Sequence, residues 1–99
     1  MRRVVDMAVE HANNRKLFGT HIKNFGAIQA KVGEMALETY AVESMAYLTT
    51  SFMDRGEKDC SVEAAMCKVY GSEALWRTMH HSIQILGGMG YMSECPLER

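Results

Sequence analysis

Apolar residues recur along this chain at three- and four-residue intervals, the spacing of helix faces rather than of half-buried strands. Val4, Val5, Ala8 and Ala12 mark one face of a helix over residues 1–15, with Arg2, Arg3, Asp6 and Glu10 on its other faces. No capping residue precedes Met1, so this helix is expected to begin in its interior, as in a segment of a longer protein. Gly19, Thr20 and Asn24 break the periodicity and predict a connector over 16–24.

A long second helix is expected over 25–54. Ile28, Val32, Met35, Val42, Ala46 and Thr49 form one stripe; Leu37, Met45, Leu48 and Phe52 form another. Two stripes on one helix predict neighbours on more than one side. Residues 55–60 read as a charged turn with Gly56 as its helix-stopping signal. Ser61 is the expected N-cap of a third helix, with Glu63 favourably placed in the first turn.

The third helix's expected core face is Val62, Met66, Val69, Trp76, Met79, Ile83 and Leu86. Ala64, Ala65, Gly71 and Ala74 are small enough to admit close helix approach. Gly87-Gly88 stop the helix, residues 89–99 turn, and Pro96 is placed to open a fourth helix at its first position. The fold class that follows is all-α: an antiparallel bundle of three long helices and the start of a fourth, in one domain over 1–99. Three such helices leave apolar surface that a complete bundle would cover.

Composition narrows the function classes. The chain is 47% apolar and 23% charged with a net charge of -1, which fits a globular core and not a disordered segment. That balance, with a pI near 6.4, argues against nucleic-acid binding. Nine methionines suit irregular helix–helix gaps. The cysteines, Cys60, Cys67 and Cys95, are odd in number and loosely spaced, which indicates free thiols in a reducing compartment. No run of about 20 apolar residues is present to span a membrane. Asp6 and Glu10 near the start are unlike an acid-poor transit peptide, so any targeting segment is expected outside this chain.

Two runs carry candidate chemistry. In Asn14-Arg15-Lys16-Leu17-Phe18-Gly19, the Arg15 guanidinium suits phosphate oxygens and Phe18 can stack on a ring system. The plainer alternative is a cation at a helix C-terminus beside an aromatic that plugs the core. In Gln84-Ile85-Leu86-Gly87-Gly88-Met89-Gly90-Tyr91, three glycines at a helix end let backbone approach a ligand, and Gln84 offers an amide one turn earlier. The plainer alternative is a flexible cap and turn.

Together these runs resemble the signatures of the acyl-CoA dehydrogenase family, Arg-Lys-x-Phe-Gly and Gln-Ile-x-Gly-Gly-x-Gly, and the resemblance spans essentially the whole chain. Glu43-Ser44-Met45-Ala46-Tyr47, Glu63-Ala64-Ala65-Met66 and Gly71-Ser72-Glu73-Ala74 are similar to the very-long-chain branch, including its complex-I-assembly relative.

The resemblance implies part of a C-terminal helical domain that reaches, across a homodimer interface, the flavin adenine dinucleotide (FAD) of the partner subunit. Arg15 would contact its diphosphate and Phe18 would pack against it. Gln84, Ile85, Leu86, Gly87 and Gly88 would meet its adenine and ribose. The implied parent oxidises acyl-CoA to trans-2-enoyl-CoA in fatty-acid β-oxidation, passes electrons to electron-transfer flavoprotein, and is mitochondrial, in the matrix or at the inner membrane. Several family members carry a cofactor-contacting glutamine where this chain has Gly26; Gln29, three residues on, is the nearby amide available to stand in. The family's proton-abstracting glutamate sits downstream of the glycine run, in a Glu-Gly-Thr sequence beyond Glu98-Arg99. No catalytic residue is therefore assigned. The alternative is a non-enzymatic helical interaction or assembly module built on the same domain.

Other candidates carry less. Adjacent His80 and His81 point about 100° apart on a helix, which does not favour one shared metal ion. Cys60 and Cys67 lack the second pair of a zinc site, and Cys67 lacks a base and an orienting group for nucleophilic work. Glu34 and Glu38 read as a solvated helix face, and Trp76 as a core or interface anchor.

Overall fold

The computed structural model describes residues 1–98. Its three long helices are α1 (Arg2–Asn14), α2 (Gly26–Asp54) and α3 (Ser61–Leu86), within a residue or so of the expected spans. Gly56, at φ 83°, ends the turn after α2 as its sequence signal predicts. Ser61 is not the N-cap of α3. Cys60 occupies that position, and the Asp59 carboxylate takes the backbone N–H of Ser61 at 3.0 Å. An aspartate two residues upstream thus satisfies a free amide donor of the first turn. Pro96 opens a single 3₁₀ turn, Pro96–Glu98.

The helices meet at a seam of small side chains. Ala74, Thr78 and Ser82 recur every four residues on α3 and are fully buried. Gly71 continues the row, where an added Cβ would lie 3.8 Å from Val42 of α2. The Ser82 hydroxyl sits 3.3 Å from Met35 Sδ of α2 and 3.5 Å from the Val4 carbonyl of α1, marking the point where all three helices meet. Around it, Ala8, Ala12, Ile22, Met35 and Ile85 form the core, with Val5, Phe25, Ile28 and Val32 against it. A second cluster joins Leu86, Cys95 and Leu97 to Met79 and Ile83.

This corrects the expected core face of α3. Met79, Ile83 and Leu86 pack inward, but Val62, Met66, Val69 and Trp76 are exposed, Trp76 at 76%. Ala64 and Ala65 are exposed as well. Close helix approach selects a ridge of small residues, and the bulky stripe then falls on the outer side. Trp76 is accordingly no core anchor. On α2 the stripe through Ile28, Val32, Met35, Val42 and Thr49 turns inward, Ala46 excepted, while Leu37 and Leu48 of the second stripe face out.

Polar pairs also stitch the helices. Arg77 of α3 donates to Glu38 of α2 at 2.7 Å, and His81 Nε2 lies 2.9 Å from Glu34. Glu34 and Glu38 are therefore interhelical partners: Glu34 remains solvated as expected, whereas Glu38 is partly buried. Arg2 grips Glu43 through two nitrogens, tying α1 to α2. The three cysteines are free.

Candidate functional site

The connector after α1 is more ordered than its sequence suggests. Arg15 N–H donates to the His11 carbonyl at 2.8 Å, and Ile22 N–H donates to the Arg15 carbonyl at 2.9 Å. Between them lies a two-stranded antiparallel ribbon, β1 (Lys16–Leu17) and β2 (Thr20–His21), pairing Lys16 with His21 and Leu17 with Thr20. The all-helical expectation missed it because two residues per strand are too few to show alternation.

The ribbon turns on Phe18 and Gly19, both at positive φ, 52° and 79°. Left-handed backbone at both central positions is the signature of a tight primed hairpin turn. Glycine accepts it freely; a phenylalanine there is strained by roughly 1–3 kcal/mol. That turn lifts the Phe18 ring 95% into solvent, braced only edge-on by Phe25, with ring centres 6.4 Å apart. Phe18 therefore does not plug the core.

Opposite the ribbon, α3 ends on glycines with three different jobs. Gly87 has φ 59° and ψ -132°, a conformation open to glycine alone. Gly90 lies so close to the preceding helix that an added Cβ would sit 2.7 Å from the Ile83 carbonyl oxygen. Gly88 faces open space, where an added Cβ meets nothing within 4 Å. Gly87 and Gly90 fold the 3₁₀ turn Gly87–Tyr91 back on α3, and Gly87 and Gly88 leave bare backbone at the surface.

The two runs converge. Arg15, Phe18, Gln84, Ile85, Leu86, Gly87 and Gly88 all line one cleft of about 570 Å³ between the ribbon and the end of α3. That volume suits a small-molecule site, which spans roughly 300–1,000 Å³. Ile85 and Leu86 are buried and form its floor, whereas Arg15, Phe18, Gln84, Gly87 and Gly88 are exposed around it. No aspartate or glutamate lines it, so its charge is one-sided and positive. An apolar floor, a free aromatic ring, an amide and a guanidinium can together accept a ligand with a flat ring at one end and an anion at the other.

Sequence reasoning missed several wall residues, among them His11, Phe25, Ala27 and Met89. His11 was within reach of it: it stands one turn before Arg15, on the same side of α1. Gln29, the glutamine nearest to Gly26 in sequence, lies outside this cleft. Its side-chain amide donates to the Lys23 carbonyl at 3.1 Å, and it lines a separate groove with Val9 and Val32.

Charge elsewhere is structural. The hydrogen bond from Arg77 holds the Glu38 carboxyl below the usual carboxylate range, against the opposing effect of burial. Arg2 does the same for Glu43. Burial, then the nearby carboxylates Glu63, Glu57 and Asp59, pushes the Cys60 thiol up, away from nucleophilic reactivity.

A three-helix slab thus carries a ribbon and a glycine turn that frame one acid-free cleft. The Acyl-CoA dehydrogenase C-terminal domain family matches residues 1–99, and the chain belongs to that family. It is 50% identical over its whole length to the very long-chain specific acyl-CoA dehydrogenase, mitochondrial, of Rattus norvegicus, of which it spans 15%. The fold superposes on butyryl-CoA dehydrogenase from Megasphaera elsdenii with a TM-score of 0.93, at 30% identity, covering 99% of this chain and 25% of that one. A solved FAD complex of PigA gives a TM-score of 0.92 at 28% identity, covering 99% of this chain and 25% of that one.

Proposed function

We propose that this chain is the inner part of the C-terminal helical domain of a FAD-dependent, mitochondrial acyl-CoA dehydrogenase of the very-long-chain type. In that protein it forms part of the dimer interface and grips the nucleotide end of the FAD bound by the partner subunit. The observation that carries the reading is the convergence of Arg15, Phe18 and the 84–88 run on one cleft free of acidic side chains.

The parts fit that ligand. The Arg15 guanidinium offers a forked donor for the diphosphate. Phe18 presents a ring face, and Gln84 with the bare backbone at Gly87 and Gly88 suits ribose and adenine edges. A bound flavin supplies the acceptor for the hydride that leaves the acyl-CoA β-carbon. The residues of this chain only hold and orient its distal end, and none of them is assigned the abstraction of the α-proton. Electron-transfer flavoprotein is the proposed acceptor of the electrons.

Removing Arg15 tests this. In the full-length dehydrogenase, Arg15→Ala loses a charge-assisted contact of about 1.5–3 kcal/mol, weakening FAD retention roughly 10- to 150-fold. Flavin absorbance of the purified protein reads the loss. Unchanged flavin content would sink the assignment of this cleft.

The exposed face of Val62, Met66, Val69 and Trp76 favours a second reading, a helical assembly module without catalysis. Bleaching of the full-length protein's flavin by palmitoyl-CoA separates the two: an enzyme bleaches, a pure docking module does not.

A further inference from the structure

Beyond the residues of the two sequence runs, the cleft holds one more group able to bind an anion. We propose that His11 is a positioning residue of the same site, its imidazole donating to the ligand's diphosphate beside Arg15. The inference rests on the cofactor reading above and adds a pH-dependent grip to it.

Three observations carry it. His11 lies in the last turn of α1 and lines the cleft. Its carbonyl accepts the Arg15 N–H at 2.8 Å, so the two residues stand one turn apart, and both line the cleft. Its ring is half-buried, and it makes no side-chain hydrogen bond or ion pair among the described residues. A half-buried imidazole without a partner, facing an acid-free cleft, has its donor free for what enters there.

The groups around His11 support the same direction. Within the cleft, the one other charged side chain is Arg15; the facing elements bring Phe18, Phe25, Gln84 and Ile85, none ionic. Glu10 and Asn14 border His11 on the outer side, in a shallower groove with Met7 and Leu86. Glu10 is thus the one carboxylate placed to compete for the imidazole. An anion in the cleft adds a negative charge on the inner side, which favours the protonated ring, so binding and protonation reinforce each other.

The test uses the full-length dehydrogenase, stripped of flavin and titrated with FAD at about pH 6 and about pH 8.5, one on each side of the histidine range. The wild type is expected to bind about ten-fold more tightly at the lower pH, the gain of one charge-assisted contact. His11→Gln flattens that difference and binds at both pH values as the wild type does at the higher one. His11→Lys restores tight binding at both, because its charge does not titrate in this range. Matched melting curves for wild type and variants confirm that the change lies in the site.

His11→Gln binding FAD as the wild type does at both pH values, while Arg15→Ala still loses the flavin, overturns the inference and leaves the cofactor reading standing. A wild type that takes up no flavin overturns both. If Glu10→Gln alone flattens the pH difference, His11 answers to its helix neighbour, and the inference is equally overturned.

Discussion

The two ends of α3 are built from opposite materials. Toward its C-terminus, Ala74, Thr78, Ser82 and Ile85 are buried, small or medium in size, and wedged between α1 and α2. Toward its N-terminus, Val62, Met66 and Val69 are large, apolar and open to solvent. On α2 the contrast lies between faces: Met35 and Thr49 are buried while Leu37, Tyr40 and Tyr47 lie exposed. On α3 between Gly71 and Ser82, size decides the inner face more than hydrophobicity does, while α2 sets the large Met35 against that small-residue ridge. Where three helices must close on one another, small side chains let the backbones approach, and the bulky apolar ones are displaced outward. The cleft sits at the closed end, where the scaffold is stiff. The open end offers area to another surface. A radius of gyration of 16.5 Å, against about 13 Å for a compact 100-residue domain, reflects that lopsided build.

The contrast can be broken by substitution. The largest effect is expected at Met35, where truncation to alanine leaves a cavity at the junction and destabilises the fold by about 2–5 kcal/mol. A denaturation midpoint matching the wild type would show that the closed end is not the stability centre. Next comes Gly90→Ala, which forces a Cβ against the Ile83 carbonyl; a loss of about 1–3 kcal/mol is expected from overpacking. Gly88→Ala, two residues away in open space, should leave stability unchanged, so the pair separates folding glycines from the site glycine.

A smaller effect belongs to the polar stitch between α2 and α3. Because Arg77 holds the Glu38 carboxyl below its ordinary value, the pair stabilises the fold fully above about pH 4.5. That contribution fades as pH falls through the lowered folded-state value. Arg77→Met should flatten this acid limb of a melting-temperature-versus-pH curve. An identical acid limb would mean that Glu38 titrates alone. Smallest of all is Met66→Ser on the open end, expected to shift stability by less than about 0.5 kcal/mol in the isolated chain. A large loss there would place Met66 inside a core and erase the distinction between the two ends.

Much of this was legible beforehand, and the failures share one cause. Helix spans followed from periodicity, and the stops at Gly56 and Gly87 followed from glycine's freedom at positive φ. Arg15 and the 84–88 run stood out because their candidate chemistry is local to short segments, and the structure brings them to one cleft. The core face of α3 was misjudged because periodicity reports where apolar residues lie and not which neighbour arrives. The partnering of Glu34 and Glu38 was missed for the same reason, since His81 and Arg77 lie more than ten turns' worth of chain away. Cys60 in place of Ser61 as the cap shows a one-residue error that only the Asp59 contact resolves. The ribbon escaped notice because its signal is a turn geometry, and Phe18 is a residue that such a turn disfavours.

That last misfit has a practical consequence. Asparagine or aspartate before glycine is what a hairpin of this shape would choose on its own account. A campaign to raise heat resistance, blind to ligand, would therefore reward replacement of Phe18 by asparagine. On the cofactor reading proposed above, it would collect sturdier proteins with a weaker hold on the nucleotide, so such a screen on this domain has to score occupancy alongside melting.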